Sequence, residues 1–172
     1  MMAYFKTCTP SRMSKNEFVS TFADIYEHSA WVAEQTFALG INEQHNDIDT
    51  LHMSMQAVLD KASDEQKLNL INAHPDLAGK AAVEGTLTAA STNEQAGAGI
   101  DQCTAQEFDV FNQLNSDYKK KFNFPFIMAV KGSKKTLILS AFKQRIHHSI
   151  NEEFEQAICE INKIALFRLN EL

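Results

Sequence analysis

Apolar residues recur three or four positions apart along most of this chain, which is the spacing of the buried face of an α-helix. Polar residues mark where several of these helices begin. In a capping box, Ser or Thr precedes the first turn and Glu or Gln follows three residues later, so that each side chain satisfies an unpaired backbone amide. The pattern predicts helix starts at four places: Ser14–Glu17, Ser63–Gln66, Ser91–Glu94 and Thr104–Glu107.

Glycine and proline set the predicted ends of two helices. A short second helix starts within Glu27–Trp31, and Gly40 stops it. The helix that begins after Ser63 ends just before Pro75, because a proline ring disfavours helical geometry at the preceding residue. The pattern as a whole predicts one all-α domain over residues 1–172, without an internal repeat or a linker. Further apolar stripes predict helices over 48–59, over 137–145 and from about 151 to 169.

One strongly apolar stretch does not follow the helical spacing. Residues 122–132 read FNFPFIMAVKG, in which Pro125 interrupts the run and Gly132 closes it. No partner strand is visible elsewhere in the chain. We therefore predict a buried, extended and irregular segment rather than a sheet.

Composition limits the classes of protein that the chain can belong to. The 172 residues are 44% hydrophobic, enough for one domain with a proper core. A net charge of −6 without a basic patch argues against nucleic-acid binding. No apolar run approaches the ~20 residues of a membrane span. The termini carry neither a secretory signal nor an SKL-type address, so we expect a cytoplasmic protein.

The cysteines and histidines do not form a recognisable metal site. Cys8, Cys103 and Cys159 lack CxxC spacing, and an odd number favours free thiols in a reducing compartment. His147 and His148 are neighbours in a predicted helix, where their rings diverge and cannot share a metal ion.

The most irregular part of the chain, residues 73–100, is the best candidate for a functional site. It contains four of the six glycines, and His74 stands directly before Pro75. His74 is either a partner of the helix C-terminal dipole or a group pushed out of the helix into a cleft. Further along, a helix start capped by Ser91 would leave free amides near Thr92 to Glu94, which could hold a substrate carboxylate or ureido oxygen.

Two arginines interrupt apolar helix faces. Arg168 extends the stripe of the last helix, where it either snorkels to the surface or presents a guanidinium to a carboxylate in a cleft. For Arg145, a structural ion pair is the better interpretation.

Several stretches together resemble one enzyme family. AHPDLAGK, STNEQAGAGI, LNSDYKKKFNFPFIMAVKG and IALFRL, with the early FVSTFADIYEHSAW, are similar to the signatures of OHCU decarboxylases. These enzymes act on 2-oxo-4-hydroxy-4-carboxy-5-ureidoimidazoline (OHCU), in the last step from urate to (S)-allantoin. The likeness covers nearly the whole chain. It implies an all-helical fold, a small-molecule substrate, no cofactor or metal, and a homodimer.

The resemblance also assigns roles to individual residues. His74 and Glu94 match catalytic positions, and Pro75 matches a neighbour that contacts the substrate. Two departures are visible: Ala30 stands where the family usually has proline, and Asn123 where it usually has glycine. Asn tolerates the left-handed conformation that glycine favours. The remaining positions that match substrate-binding residues are Ser91, Glu94, Gln95, the segment of Phe126, Ile127, Met128, Ala129 and Val130, and Arg168. Thr92 and Asn93 are added to the predicted substrate-binding residues because of the free amides expected at the helix start.

The implied reaction suits these residue types. OHCU carries a carboxylate beside a C=N bond, so the substrate itself can accept the electrons that CO2 leaves behind. The protein must add orientation and a proton delivered to one face. We expect His74 to act in decarboxylation and proton transfer, Glu94 to orient the hydroxyl group and Arg168 to help anchor the substrate. The sequence leaves open which group delivers the final proton. It also leaves two alternatives, a helical binding module and a related reaction on another ureido or hydroxy acid.

Overall fold

The predicted helical architecture is confirmed. The computed structural model describes residues 3–79 and 84–172, and within these ranges it contains eight α-helices and no strand beyond one isolated bridge between Tyr4 and Asp47. None of the helices in the described part of the chain is long and apolar enough to cross a membrane. The helices are α1 Lys15–Phe22, α2 Trp31–Ala38, α3 Ile48–Asp60, α4 Asp64–Ala73, α5 Ala89–Gly97, α6 Ala105–Phe122, α7 Lys135–Arg145 and α8 Ile150–Leu169.

Local capping chemistry explains most of the helix starts. At α1 the backbone amide of Ser14 donates to Glu17 Oε2 at 2.8 Å, and the Ser14 hydroxyl accepts from the Glu17 amide. Thr104 and Glu107 make the same reciprocal pair at α6. The pair Ser63–Gln66 does so at α4. These three predicted capping boxes are confirmed.

The predicted start of the short second helix within Glu27–Trp31 is confirmed. The helix begins at Trp31, after His28, whose positive φ of 47° does not fit an α-helix. One detail of the predicted helices is wrong. In α7, Leu137 does not share the buried face, since it is 58% exposed while Ile138 is fully buried. The apolar stripe thus enters the core at Ile138, one residue later than predicted.

The chain forms two compact units. The first consists of Met1–Ala73 with Asn162–Leu172, and aromatic rings on α1 form much of its core. Phe18 lies 4.7 Å from Phe22 and 5.3 Å from Phe37, between ring centroids. Burial raises the pKa of Tyr26, so its hydroxyl stays protonated and donates to Asn162 Oδ1 at 2.8 Å.

The second unit, His74–Ile161, contains the residues of the irregular stretch and of the apolar segment. Its core is aromatic, with the Phe126 ring stacked on Phe142 at 3.7 Å and Tyr118 edge-on to Phe126 at 5.3 Å. The boundary between the units falls inside α8, between Ile161 and Asn162. The prediction of a single domain over 1–172 stays a prediction.

The segment 122–132 has the predicted irregular conformation. Phe122 is still helical, and from Asn123 to Val130 the backbone forms neither helix nor strand. Asn123 ends α6 in the left-handed region at φ 62°, as glycine would. Phe124, Phe126, Ile127 and Val130 are all at most 4% exposed. The segment is therefore a fixed part of the core of the second unit.

Candidate active site

His74 lies at the start of a tight loop, immediately after α4 ends at Ala73. The helix stops where Pro75 predicts. His74 is only 8% exposed, so its side chain is held inside the protein rather than in solvent. The loop continues to Gly79, where an added Cβ would lie 2.6 Å from Asp76 Cβ. Only glycine fits this turn without displacing its neighbour.

Two buried amide side chains hold the loop that starts with His74. Gln95 Oε1 accepts from the Ala78 amide at 3.0 Å, and its Nε2 donates to the Asp76 carbonyl at 3.4 Å. Asn115 Nδ2 donates to the Leu77 carbonyl at 2.8 Å. These bonds fix a loop in which Ala78 has a positive φ of 51°, a conformation that costs an L-residue about 1 kcal/mol or more.

Asp76 gives the loop an additional charged anchor. Its Oδ2 lies 2.6 Å from Lys119 Nζ, and both side chains are partly exposed. Asn115 and Lys119 are one turn apart on α6, so the same helix binds the loop twice.

The predicted helix start at Ser91 is wrong. α5 begins at Ala89 with Thr88 as its N-cap, and the Thr88 hydroxyl accepts from the Ser91 amide at 3.2 Å. Ser91 and Glu94 therefore lie inside the helix. The Thr92 amide donates to the Thr88 carbonyl at 2.9 Å, so it is not a free anion-binding group. Thr88 precedes Ser91 by about one turn, and its hydroxyl and carbonyl already accept from the amides of Ser91 and Thr92.

Helical spacing divides the predicted cluster 91–95 between two faces. Ser91 and Gln95 are both 5% exposed, and Glu94 is half-buried beside them. Thr92 and Asn93 are exposed on the other side of the helix, and the Thr92 hydroxyl donates to the Thr88 carbonyl. A substrate contact by the side chain of Thr92 or Asn93 stays a prediction.

A cavity of about 320 Å³ lies next to α5, at the lower end of the usual size for small-molecule sites. Thr92 and Gln95 line it, but His74 and Glu94 are not among its lining residues. The rest of its wall is largely apolar and includes Leu87, Ala96, Ile100 and Phe108.

The backbone N–H and C=O groups of the segment Phe126–Val130 do not take part in helical or β-sheet hydrogen bonding. Two of them have charged partners in the second unit. The Ile127 carbonyl accepts from Arg145 Nη1 at 2.7 Å, and the Ala129 amide donates to Glu160 Oε2 at 2.7 Å. Charged partners of this kind make strong hydrogen bonds and fix the path of the backbone.

Helix α6 brings the His74 loop and the apolar segment together. Asn115 binds the loop through Leu77, and Tyr118, less than one turn further on, packs its ring against Phe126. Side chains three residues apart lie on the same side of a helix. Within the second unit, α6 thus contacts both the His74 loop and the apolar segment, and Gln95 of α5 contacts the same loop.

Arg168 belongs to the first unit. It is 5% exposed, and its Nη1 lies 2.8 Å from Glu27 Oε2 and 3.2 Å from the Asp24 carbonyl. The snorkelling alternative is wrong, because the guanidinium is buried. The predicted structural ion pair of Arg145 is confirmed, with Glu153 as its partner at 2.8 Å.

Sequence analysis missed the groups that hold the site, namely Asn115, Glu153 and Glu160. Each is a polar residue on an otherwise apolar helix face: Asn115 falls between Phe111 and Tyr118, and Glu153 and Glu160 fall at helical spacing from Ala157. Polar residues in such positions indicate a buried polar network. Among residues 3–79 and 84–172, no group of three or more His, Cys, Asp or Glu side chains could hold a metal ion.

An all-helical protein with a buried histidine, on a loop that Gln95 and Asn115 hold by hydrogen bonds, has features of a small-molecule enzyme. Comparison with known proteins identifies which one. The OHCU decarboxylase family model matches residues 11–170, and the chain belongs to this family. The resemblance seen in the sequence is confirmed.

Two relatives and one solved structure illustrate the match. The chain is 39% identical to a 2-oxo-4-hydroxy-4-carboxy-5-ureidoimidazoline decarboxylase of Halalkalicoccus jeotgali, over 94% of this chain and 88% of the relative. It is 37% identical to the decarboxylase of the same name from Haloferax volcanii, over 94% and 92%. A crystal structure of an (S)-allantoin synthase is 33% identical with a TM-score of 0.69. The match covers 92% of this chain and spans half the length of that structure.

Proposed function

We propose that this protein is a carboxy-lyase that converts OHCU to (S)-allantoin in urate degradation. The observation that carries the proposal is the match of the OHCU decarboxylase family over residues 11–170, which includes the whole His74 loop and the apolar segment. The relatives from Halalkalicoccus jeotgali and Haloferax volcanii carry the name of this decarboxylase, and the similar crystal structure is that of an (S)-allantoin synthase.

The proposed reaction needs no external electron acceptor. Cleavage of the bond between the ring carbon and the carboxylate releases CO2 and leaves an electron pair on the ring. The neighbouring C=N bond takes up this pair. A proton is then added to one face of the ring, and the face chosen sets the handedness of allantoin. The protein contributes orientation and the proton transfer.

His74 is the central group in this proposal. Its burial and its rigid loop support a fixed position next to the substrate carboxylate, and histidine exchanges protons near neutral pH. Glu94, half-buried on the same face of α5 as Ser91 and Gln95, orients the substrate hydroxyl. Backbone groups of Phe126–Val130 fix the polar edges of the ring. Pro75 as a substrate contact and Arg168 as a substrate anchor rest on the resemblance alone.

Three further parts of the proposal concern the protein as a whole. We expect a single functional domain, which the length and the helical pattern of the chain predict, and a homodimer, which rests on the family resemblance. We also expect a cytoplasmic protein, which the three free thiols at Cys8, Cys103 and Cys159 support.

Circular dichroism of freshly generated OHCU tests the proposed reaction. OHCU also decays unaided, so loss of substrate is weak support, whereas a handed product is strong support. We expect a fast rise of the (S)-allantoin signal with the protein and a racemic product without it. A racemic product at the background rate in both samples would contradict the proposal. Turnover of a small panel of other ureido and hydroxy acids in preference to OHCU would assign a related reaction instead.

A further inference from the structure

A buried ionic cluster lies directly behind the apolar segment. Its centre is Glu153, whose side chain is fully buried and accepts hydrogen bonds from the Tyr118 hydroxyl and from Arg145. Arg145 Nε lies 3.0 and 3.1 Å from the two carboxylate oxygens, and Nη2 lies 2.8 Å from one of them. His148 Nδ1 contacts the other oxygen at 2.8 Å. This arrangement fixes the guanidinium plane, as bidentate arginine–carboxylate pairs do.

The third nitrogen of the guanidinium reaches the segment itself. Arg145 Nη1 donates to the Ile127 carbonyl at 2.7 Å, and the guanidinium carbon lies 4.3 Å from the centre of the Phe126 ring. Arg145 thus contacts two consecutive residues of the segment through different interactions. Because Glu153 occupies Nε and Nη2, the direction of Nη1 is set by the ion pair.

The ionisation of Glu153 supports the same arrangement. Burial alone would raise the pKa of this carboxyl, but hydrogen bonds from Arg145 and Tyr118 and the charge of Arg145 hold the pKa below its ordinary value. The carboxylate is therefore charged at neutral pH, and the fork to Arg145 persists.

We propose that Arg145, oriented by Glu153, is a positioning residue that holds the Ile127 carbonyl and the Phe126 ring so that the segment Phe126–Val130 can bind the substrate. The inference rests on the proposed function, since it concerns how that substrate is held. A buried ion pair can be replaced by apolar residues without loss of stability, so stability alone does not explain a charged group here. The contact with a substrate-binding segment supplies a reason.

Arg145→Lys tests the inference. Lysine retains the positive charge but lacks the planar fork that serves Glu153 and Ile127 at once. We expect KM for OHCU to rise about tenfold, the effect of one charge-assisted hydrogen bond, while kcat changes by less than about threefold. The Kd of (S)-allantoin should rise in parallel. Lys135→Met is the matched control, because it breaks the 2.8 Å ion pair with Glu107, which lies in the same unit but outside the segment. We expect KM of this control to equal that of wild type.

The possible outcomes separate the inference from the proposed function. Unchanged KM and Kd in folded Arg145→Lys would overturn the positioning role, and so would an equal rise in Lys135→Met. If Arg145→Lys does not fold, Glu153→Gln keeps the arginine and an oxygen that accepts from it, but removes the negative charge that orients the guanidinium. A smaller rise of KM is then expected, and no rise would overturn the inference. A wild-type protein that does not turn over OHCU would contradict the proposed function. The role of Arg145 would still be decided separately, by comparing the Kd of (S)-allantoin between wild type and the same variants.

Discussion

Replacing Gln95 with methionine tests whether its side chain holds the loop that starts with His74. Methionine has nearly the same length but cannot accept from the Ala78 amide or donate to the Asp76 carbonyl. Ala78 is fully buried, so its amide would be left without a partner. A buried unsatisfied donor costs about 1–3 kcal/mol, and the long bond to Asp76 adds little.

A loss of about 2 kcal/mol is therefore expected for Gln95→Met. In a chain of this size 1 kcal/mol shifts the Tm by about 2–4 °C, so the Tm should fall by about 4–8 °C. The loop would also lose the bond that opposes relaxation of Ala78 from its positive φ. If His74 acts as proposed, kcat should fall by about tenfold to a hundredfold, because a small displacement of its ring removes it from the reacting geometry.

Thermal unfolding without substrate and steady-state kinetics measure the two effects. Gln102→Met is the matched control, since Gln102 is exposed and its side chain makes no hydrogen bond within the described residues. Its Tm should stay within the range of ordinary surface substitutions, about 0.5 kcal/mol. If Gln95→Met melted like wild type and only raised KM, Gln95 would contact the substrate without holding the loop, and the reasoning above would be refuted.

Three further predictions concern other parts of the molecule. Arg168→Met should reduce the free energy of unfolding by about 3–5 kcal/mol in urea titrations, because it removes the guanidinium that lies 2.8 Å from the buried Glu27 carboxylate. A loss below about 1 kcal/mol would contradict this. Thr88→Ala should lower the free energy of unfolding by about 1 kcal/mol and speed amide hydrogen exchange at the start of α5, whereas Ser91→Ala should leave the N-cap intact. Faster exchange in Ser91→Ala than in Thr88→Ala would indicate that Ser91 is the N-cap. The pKa of Glu153 is lower in the folded protein than its ordinary value of 4.5, so its ionised form stabilises the fold above pH 4.5, and this stabilisation is lost as the pH falls through the native pKa. In Glu153→Gln, the free energy of unfolding should therefore depend less steeply on pH in the acid range. An unchanged pH dependence would contradict the assignment.

Local chemistry explains how much of the fold was predictable. Ser14 and Thr104 cap helices through residues three positions away, and Pro75 ends α4 through its immediate neighbour. Such interactions join residues a few positions apart in the sequence, so they can be predicted from the sequence alone. The error at α5 has the same origin, because Thr88 and Ser91 are both good N-cap residues and the capping box at Ser91 does not exclude an earlier start.

The long-range contacts of the candidate site could not be predicted from local sequence patterns. Asn115 binds Leu77, and Arg145 binds Ile127, across separations that helical periodicity does not encode. The sequence shows only that a polar residue interrupts an apolar face, not which backbone group it reaches. His74 itself was predictable, since Pro75 marks the end of the helix and the surrounding motif matches a known family.

The rate of (S)-allantoin formation by His74→Asn tests the central claim most directly. Asparagine retains a polar side chain of similar reach but cannot exchange a proton near neutral pH. His147→Asn is the control, because His147 is exposed and has no role in the proposed reaction. We predict that His74→Asn folds like wild type and forms racemic allantoin at the background rate, while His147→Asn retains full rate and handedness. Full rate and handedness in His74→Asn would contradict the account.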